Sequence, residues 1–230
     1  MKIDLNNYLK ERYLEKGNFS SDPGPVVTIA RETGCPGKNV CRKLTELLNI
    51  HLATKGKKEL WKWVGKEVFV EAARELNLDP GDVQYIFEEN RNAIDEILSS
   101  QSQKYYKNDR TVIKTIGEVI RSMASHGHVI ILGRGGTPLS RDITRSLHIY
   151  LEAPLEWRVS VSFTKHGCTM EEARKYVIET DKRRTHFREH FEGKGNDYTR
   201  VDVKYNCMTL SVDEIAESIF HLMEVRKLII

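Results

Sequence analysis

Cysteine is scarce in this 230-residue chain: Cys35, Cys41, Cys168 and Cys207 are scattered and form no C-x-x-C pair. That spacing supports neither a zinc ribbon nor a disulfide framework, and free thiols in a reducing cytoplasm are the expectation. Long apolar runs are also missing, since none approaches the roughly 20 residues that cross a bilayer. The first residues, MKIDLNNYLKERYLEK, carry charges throughout and lack the apolar core of a secretory signal. No membrane association is expected. Net charge is nearly absent too, with 36 Lys+Arg against 33 Asp+Glu leaving +3. A general binder of nucleic-acid polymers is therefore not expected, and any anion site must come from local clustering.

What remains is ordinary globular material, 40% hydrophobic and 30% charged, enough for one substantial core with an insertion. Ile3, Leu5, Leu9 and Leu14 line one face of an amphipathic helix over residues 1–20, and the turn-rich stretch Gly17 to Pro25 separates it from the rest. Residues 21–230 read as one α/β domain. Val26-Val27-Thr28-Ile29-Ala30 is a β-branched run suited to a strand buried on both faces, and Val129 to Leu132 and Leu147 to Leu151 are two more. Val201 to Val203 is a weaker candidate for another strand. A helical pattern carries Val40, Leu44, Leu47 and Leu48 inward, and another helix spans Thr111 to Ser125. From Glu59 to Leu98 the period is helical, which marks residues 54–109 as a helical insertion. Thr169 with Glu172, and Ser211 with Glu214, are capping-box signatures. Strands alternating with helices predict a parallel sheet flanked by helices.

Two glycine turns follow buried strands. The first, Ala30 to Asn39, contains Gly34, Cys35, Pro36, Gly37, Lys38 and Asn39 at the start of a helix, where backbone N–H groups and a lysine can hold phosphate. Glu32 stands where G-x-x-x-x-G-K would place its first glycine, and Asn39 replaces the Ser or Thr that holds Mg²⁺. The alternative is a turn that only joins strand to helix. The second, Gly133-Arg134-Gly135-Gly136-Thr137, delivers an arginine at the C-terminal end of a strand, the edge where open parallel sheets bind ligands. Such an arginine suits bidentate contact with phosphate, or else it satisfies loop carbonyls. Thr180 to Arg188 concentrates positive charge, with Arg184 and Arg188 one turn apart on one helical face. A solvated basic face would look the same.

The GRGGT turn, the strand SLHIYLEAP, LEWRV and the helix TMEEARKYVIETDKRR are similar to the C-terminal half of bacterial cytidylate kinases. The chain most resembles the cytidylate-kinase-like family, within the P-loop nucleoside monophosphate kinases, from about Val26 to Leu222. That resemblance implies the P-loop kinase fold, an acceptor-binding insertion and a lid over residues 180–200. It also implies ATP with Mg²⁺ and a nucleotide acceptor. In the implied mechanism the loop from Gly34 to Asn39 cradles the donor phosphates with Lys38 as the main charge. Arg134, Arg184 and Arg188 stabilise the moving phosphoryl group, and Asp181 orients one of those arginines. True cytidylate kinases read G-R-D where this chain has Gly135, so the resemblance carries the fold better than the acceptor. No dedicated metal ligand is expected, and the N-terminal helix could pack against another subunit in a homo-oligomer.

Two rival functions remain open at this point. One is a nucleotide-binding protein whose altered loop has lost kinase activity. The other is a zinc hydrolase built on His186-Phe187-Arg188-Glu189-His190, an H-x-x-E-H pattern with Glu214 or Glu217 as a third ligand. The arginines around those histidines argue against Zn²⁺.

Overall fold

The β-branched run of the first buried segment does become the middle of a sheet. The computed structural model describes residues 23–66, 70, 103–192 and 201–229. The expected N-terminal helix, most of the insertion and the far end of the lid, 193–200, lie outside the described residues.

Strands β1 (Val26–Arg31), β2 (Lys62–Val64), β3 (Val129–Leu132), β4 (Ser146–Glu152) and β5 (Val203–Asn206) form one parallel sheet in the order β2-β3-β1-β4-β5. β1 is bonded on both sides, with Val26 opposite Val129 on β3 and opposite Ser146 on β4. The connection from β1 leads to one side of the sheet and the connection from β3 to the other. A crevice at the C-terminal end of β1 is the result of such a reversal.

Among the described residues six helices flank the sheet: α1 (Gly37–Thr54), α2 (Gln103–His126), α3 (Gly136–Ser140), α4 (Leu155–His166), α5 (Met170–Glu192) and α6 (Val212–Val225). One face of the sheet presents Val27, Ile29, Ile130, Leu132, Leu147 and Ile149, all buried against Leu44 and Leu48 of α1 and Ile219 of α6. This alternation of faces is what period-2 strands impose once both faces are covered. Both capping boxes form: Glu214 N–H donates to Ser211 Oγ at 3.2 Å, and Glu172 N–H to Thr169 Oγ1 at 3.2 Å. Each serves orphan donors of a helix start, α6 and α5 respectively.

Three expectations shift. The helical reading that begins at Glu59 is overturned at Lys62–Val64, which is the edge strand β2, paired with β3 from Lys62 opposite Val129. Trp61 just before it is fully buried, and Asn49 side-chain atoms hold both its N–H and its C=O at 2.8 and 3.0 Å. The weak strand at Val201 to Val203 forms two residues later, as β5. The helix expected over Thr111 to Ser125 runs from Gln103 to His126 and so begins inside the supposed insertion.

Candidate functional site

The turn after β3 is unusual in its backbone. Gly133, Arg134 and Gly135 are all left-handed, with φ of 70°, 58° and 69°. For Arg134 this conformation costs about 1–2 kcal/mol relative to its right-handed alternative. The glycines on either side are needed for space as well. A Cβ at Gly133 would collide with Arg31 Nη1, and one at Gly135 would lie 2.6 Å from the Phe191 ring. The chain thus uses two bare positions to let an arginine from β1 and a phenylalanine from α5 close over the same turn.

Between this turn and α5 lies a cleft of about 460 Å³ at the C-terminal ends of β1, β3 and β4. Five arginines line it: Arg31, Arg134, Arg183, Arg184 and Arg188. Tyr150, Tyr176 and Phe187 add aromatic surface, and Thr137 adds a hydroxyl. The cationic crowding is strong enough that Arg31 is pushed down to about 9, by burial first and then by Arg184 and Arg134. Arg184 is lowered by burial as well, against the attraction of Asp181. A desolvated group of like charges is a site prepared for an anion, because a bound anion removes the penalty that depresses them.

The two acids of the cleft make their shortest ion pairs with a residue outside it, Arg158. Arg158 of α4 is buried, with its side chain 8% exposed, and its Nε lies 3.1 Å from Glu32 Oε2 while its Nη1 lies 2.6 Å from Asp181 Oδ2. Glu32 also accepts from Ala153 N–H at 3.0 Å. Asp181 Oδ1 accepts from both the N–H and the hydroxyl of Thr33 at 2.7 Å each. Arg184 stands 3.8 Å from Asp181 and donates to the Arg31 carbonyl at 3.2 Å. Asp181 thus bolts the first glycine loop to α5, and its contact with Arg184 is the longest it makes with these partners.

The first loop itself is folded inward. Thr33 N–H goes to Asp181, Cys35 N–H to Glu32 O at 3.3 Å, Gly37 N–H to Cys35 O at 2.9 Å and Asn39 N–H to Pro36 O at 2.9 Å. Pro36 has no N–H to offer. Lys38 and Asn39 are exposed at the start of α1, and none of Gly34, Cys35, Pro36, Gly37, Lys38 and Asn39 lines the cleft. Of the expected site residues, then, the structure brings together Arg134, Arg184, Arg188 and Asp181, and leaves the loop of Gly34 to Asn39 beside them.

Sequence reasoning missed Arg31, Arg183, Tyr150 and Arg158. Arg31 carried a readable signal, since it directly follows a buried β-branched run at the ligand-binding edge of a sheet. Arg158, in LEWRV, carried none; its role depends on two acids far away in sequence. In the H-x-x-E-H stretch, His186 is exposed and paired with Glu189 at 3.8 Å. The His190 side chain is outside the described residues. Glu214 is committed to capping α6, and among the described residues no three potential ligands converge on a metal site.

An open parallel sheet whose first strand runs through a glycine loop into a helix, with arginines gathered at its C-terminal edge, places the chain among the P-loop kinases in fold. Within that class it belongs to the cytidylate kinase-like family, whose model matches residues 26–206. No curated protein matches the sequence. Among solved structures, an uncharacterized protein from Eubacterium ventriosum is similar at 17% identity with a TM-score of 0.59, over 87% of this chain and 98% of that one. A shikimate kinase from Acinetobacter baumannii, in complex with shikimate, is similar at 15% identity with a TM-score of 0.48, over 92% and 98%. At such identities the likeness concerns the fold alone. Among the described residues no helix is long and apolar enough to cross a membrane.

Proposed function

We propose that the chain is an ATP-dependent phosphotransferase acting on a nucleoside monophosphate or a related small phosphate acceptor. The observation that supports this most is the cleft of five arginines whose acids are held by Arg158. Phosphoryl transfer needs little covalent help from protein; it needs positioning and cations around the equatorial oxygens. In this reading Arg134, Arg184 and Arg188 surround the transferring group, and Arg31 and Arg183 extend the positive wall. The loop of Gly34 to Asn39 takes the donor phosphates, with Lys38 at the N-terminus of α1. The aromatic side chains Tyr150, Tyr176 and Phe187 exclude water from the cleft and limit hydrolysis. Mg²⁺ supplied with ATP would neutralise phosphate charge. Glu32 and Asp181 are already occupied, so it would be held mainly by phosphates and water.

The test is ADP production from Mg-ATP against a panel of nucleoside monophosphates, with Lys38→Ala and Arg134→Ala as controls. Turnover with one acceptor, lost in both variants, would establish the reading and name the substrate.

A second reading has an observation of its own. The inward N–H groups of Thr33, Cys35, Gly37 and Asn39, together with Glu32 in an ion pair, favour a nucleotide-binding protein without turnover. Direct titration with Mg-ATP separates the two: binding without ADP release under every acceptor would select the second.

A further inference from the structure

Four buried polar side chains form a chain that starts within the sheet and ends at the arginine cleft. On the sheet face away from Val27 and Ile29, Thr28 of β1 stands opposite His148 of β4, and Val26 opposite Ser146. Thr28, Ser146 and His148 are all buried, at positions of a covered sheet where an apolar side chain would cost less. They satisfy one another instead. Ser146 Oγ lies 3.2 Å from His148 Nε2, His148 Nδ1 lies 2.8 Å from Thr28 Oγ1, and Thr28 Oγ1 lies 2.9 Å from Thr137 Oγ1. Thr137 belongs to the turn after β3 and lines the cleft. Gly136 lets that turn come close: a Cβ there would lie 2.8 Å from Ile131 Cγ2 and 3.4 Å from Thr28 Cγ2. Asp202 anchors the histidine by accepting its backbone N–H at 2.7 Å.

Thr28 has one hydroxyl hydrogen and two side-chain neighbours, so the chain has two polarities. In the first, Thr28 donates to His148 Nδ1, the imidazole carries its proton on Nε2 and donates to Ser146, and Thr137 donates inward to Thr28. In the second, His148 carries the proton on Nδ1 and donates to Thr28, Thr28 donates to Thr137, and Ser146 donates to Nε2. The Thr137 hydrogen is then released toward the cleft. Burial holds the His148 pKa below its ordinary value, so near neutral pH the ring is uncharged in both. One proton leaves Nε2 and one arrives at Nδ1, by exchange with solvent and with no net uptake or release. The hydroxyls only rotate. The lining of the cleft favours the first polarity, because guanidinium groups only donate and the two acids are bonded to Arg158 and Thr33. A bound oxyanion is an acceptor and reverses that preference.

We propose that Thr137 donates a hydrogen bond to a phosphate oxyanion in the cleft, and that Thr28 and His148 are positioning residues that set its direction. Binding of the anion selects the second polarity and moves the imidazole proton from Nε2 to Nδ1. This rests on the reading of the cleft as a phosphate site and holds whether or not phosphoryl transfer follows.

The experiment is nitrogen NMR of the full chain with isotope-labelled histidine, near neutral pH, with and without inorganic pyrophosphate. Loss of signals in His148→Gln assigns the ring. His148 should carry its proton on Nε2 in the protein alone and on Nδ1 with pyrophosphate bound, a change that a merely structural histidine would not make. Thr137→Val leaves the Thr28 hydrogen no side-chain acceptor but Nδ1, so the proton should stay on Nε2 in both conditions. Calorimetry on that variant should show pyrophosphate bound about tenfold or more weakly, the usual loss for a hydrogen bond to a charged group. Thr137→Ser should restore both properties. Thr28→Val should still bind pyrophosphate, with the imidazole proton no longer responding. Pyrophosphate bound to the wild type with the proton unmoved would overturn the selection, and unchanged affinity in Thr137→Val would overturn the contact. Absence of pyrophosphate binding in calorimetry overturns the phosphate site and this contact with it. Binding and proton movement without ADP production from Mg-ATP would uphold the proposal and remove only the transferase reading.

Discussion

Arg158 Nη1 lies 2.6 Å from Asp181 Oδ2, a buried guanidinium on α4 reaching a carboxylate on α5 that it shares with Thr33. Through its Nε the same arginine reaches Glu32 at 3.1 Å. Removing it would leave Glu32 without this cation and Asp181 with the longer contact to Arg184 at 3.8 Å. Arg158→Met should therefore cost about 3 kcal/mol, the low end for a broken buried pair because both acids are partly solvated. Urea unfolding would measure it. A loss below the noise of that measurement would mean the acids find other partners.

The arginine cleft should answer to any phosphate before a substrate is known. Inorganic pyrophosphate at about a hundred times its dissociation constant should add about 2.7 kcal/mol to stability. For a domain of this size that corresponds to a rise in melting temperature of about 5–10 °C. Arg134→Ala and Arg184→Ala should each remove most of the rise, since a charge-assisted hydrogen bond contributes about 1.5–3 kcal/mol. If sodium chloride at equal ionic strength stabilises as well as pyrophosphate, the cleft is not a phosphate site.

Two glycines of the same backbone hand offer a matched comparison. Gly56 has a φ of 65° with nothing within 4 Å of a Cβ, and Gly135 has a φ of 69° with the Phe191 ring 2.6 Å away. Gly56→Ala should cost about 1–2 kcal/mol for the backbone alone. Gly135→Ala should cost about 1–3 kcal/mol more, the usual range for overpacking. Equal losses in urea unfolding would show that the Phe191 ring moves aside without resistance.

His148 lies buried on β4, with Thr28 Oγ1 2.8 Å from its Nδ1 and Thr28 linked on to Thr137 of the cleft at 2.9 Å. Burial lowers its pKa, with Asp202 opposing and Arg226 adding to the lowering. A folded value below the unfolded one, near 6.5, means the unfolded chain takes up the proton first as pH falls. The contribution of neutral His148 is thus complete above about pH 6.5 and is lost progressively below it, down through the folded value. Urea unfolding between pH 7.5 and 5 should show a shallower decline in His148→Gln than in the wild type. Parallel curves would remove His148 from the account.

Much of the architecture could be read from short stretches of sequence, and the failures have physical reasons. β1, β3 and β4 are buried on both faces, so each appears as an uninterrupted apolar run. β2 has only three residues and sits at the sheet edge, where Trp61-Lys62-Trp63-Val64 is too short to show a period of two against the helical pattern around it. At the site, Arg134, Arg184 and Arg188 were legible because glycines and helical spacing announce where they point. The Arg158 hub was not, because its meaning lies in Glu32 and Asp181, which only the fold brings within reach. The inward turn of the first loop was equally hidden, since a glycine-rich segment reads the same whichever way its N–H groups face.

The strand order also constrains how the molecule comes into being. Val26 pairs with Val129 and with Ser146, both more than a hundred residues later in the chain. During synthesis the first of the described strands to leave the ribosome is thus the one whose two edges wait longest for partners. Until β3 and β4 follow, Val26, Val27 and Ile29 stay available to any other unpaired strand. Such long-range pairing slows folding and prolongs exposure. Production should accordingly be most sensitive to chaperone supply and growth temperature while the chain is between its first strand and its fourth.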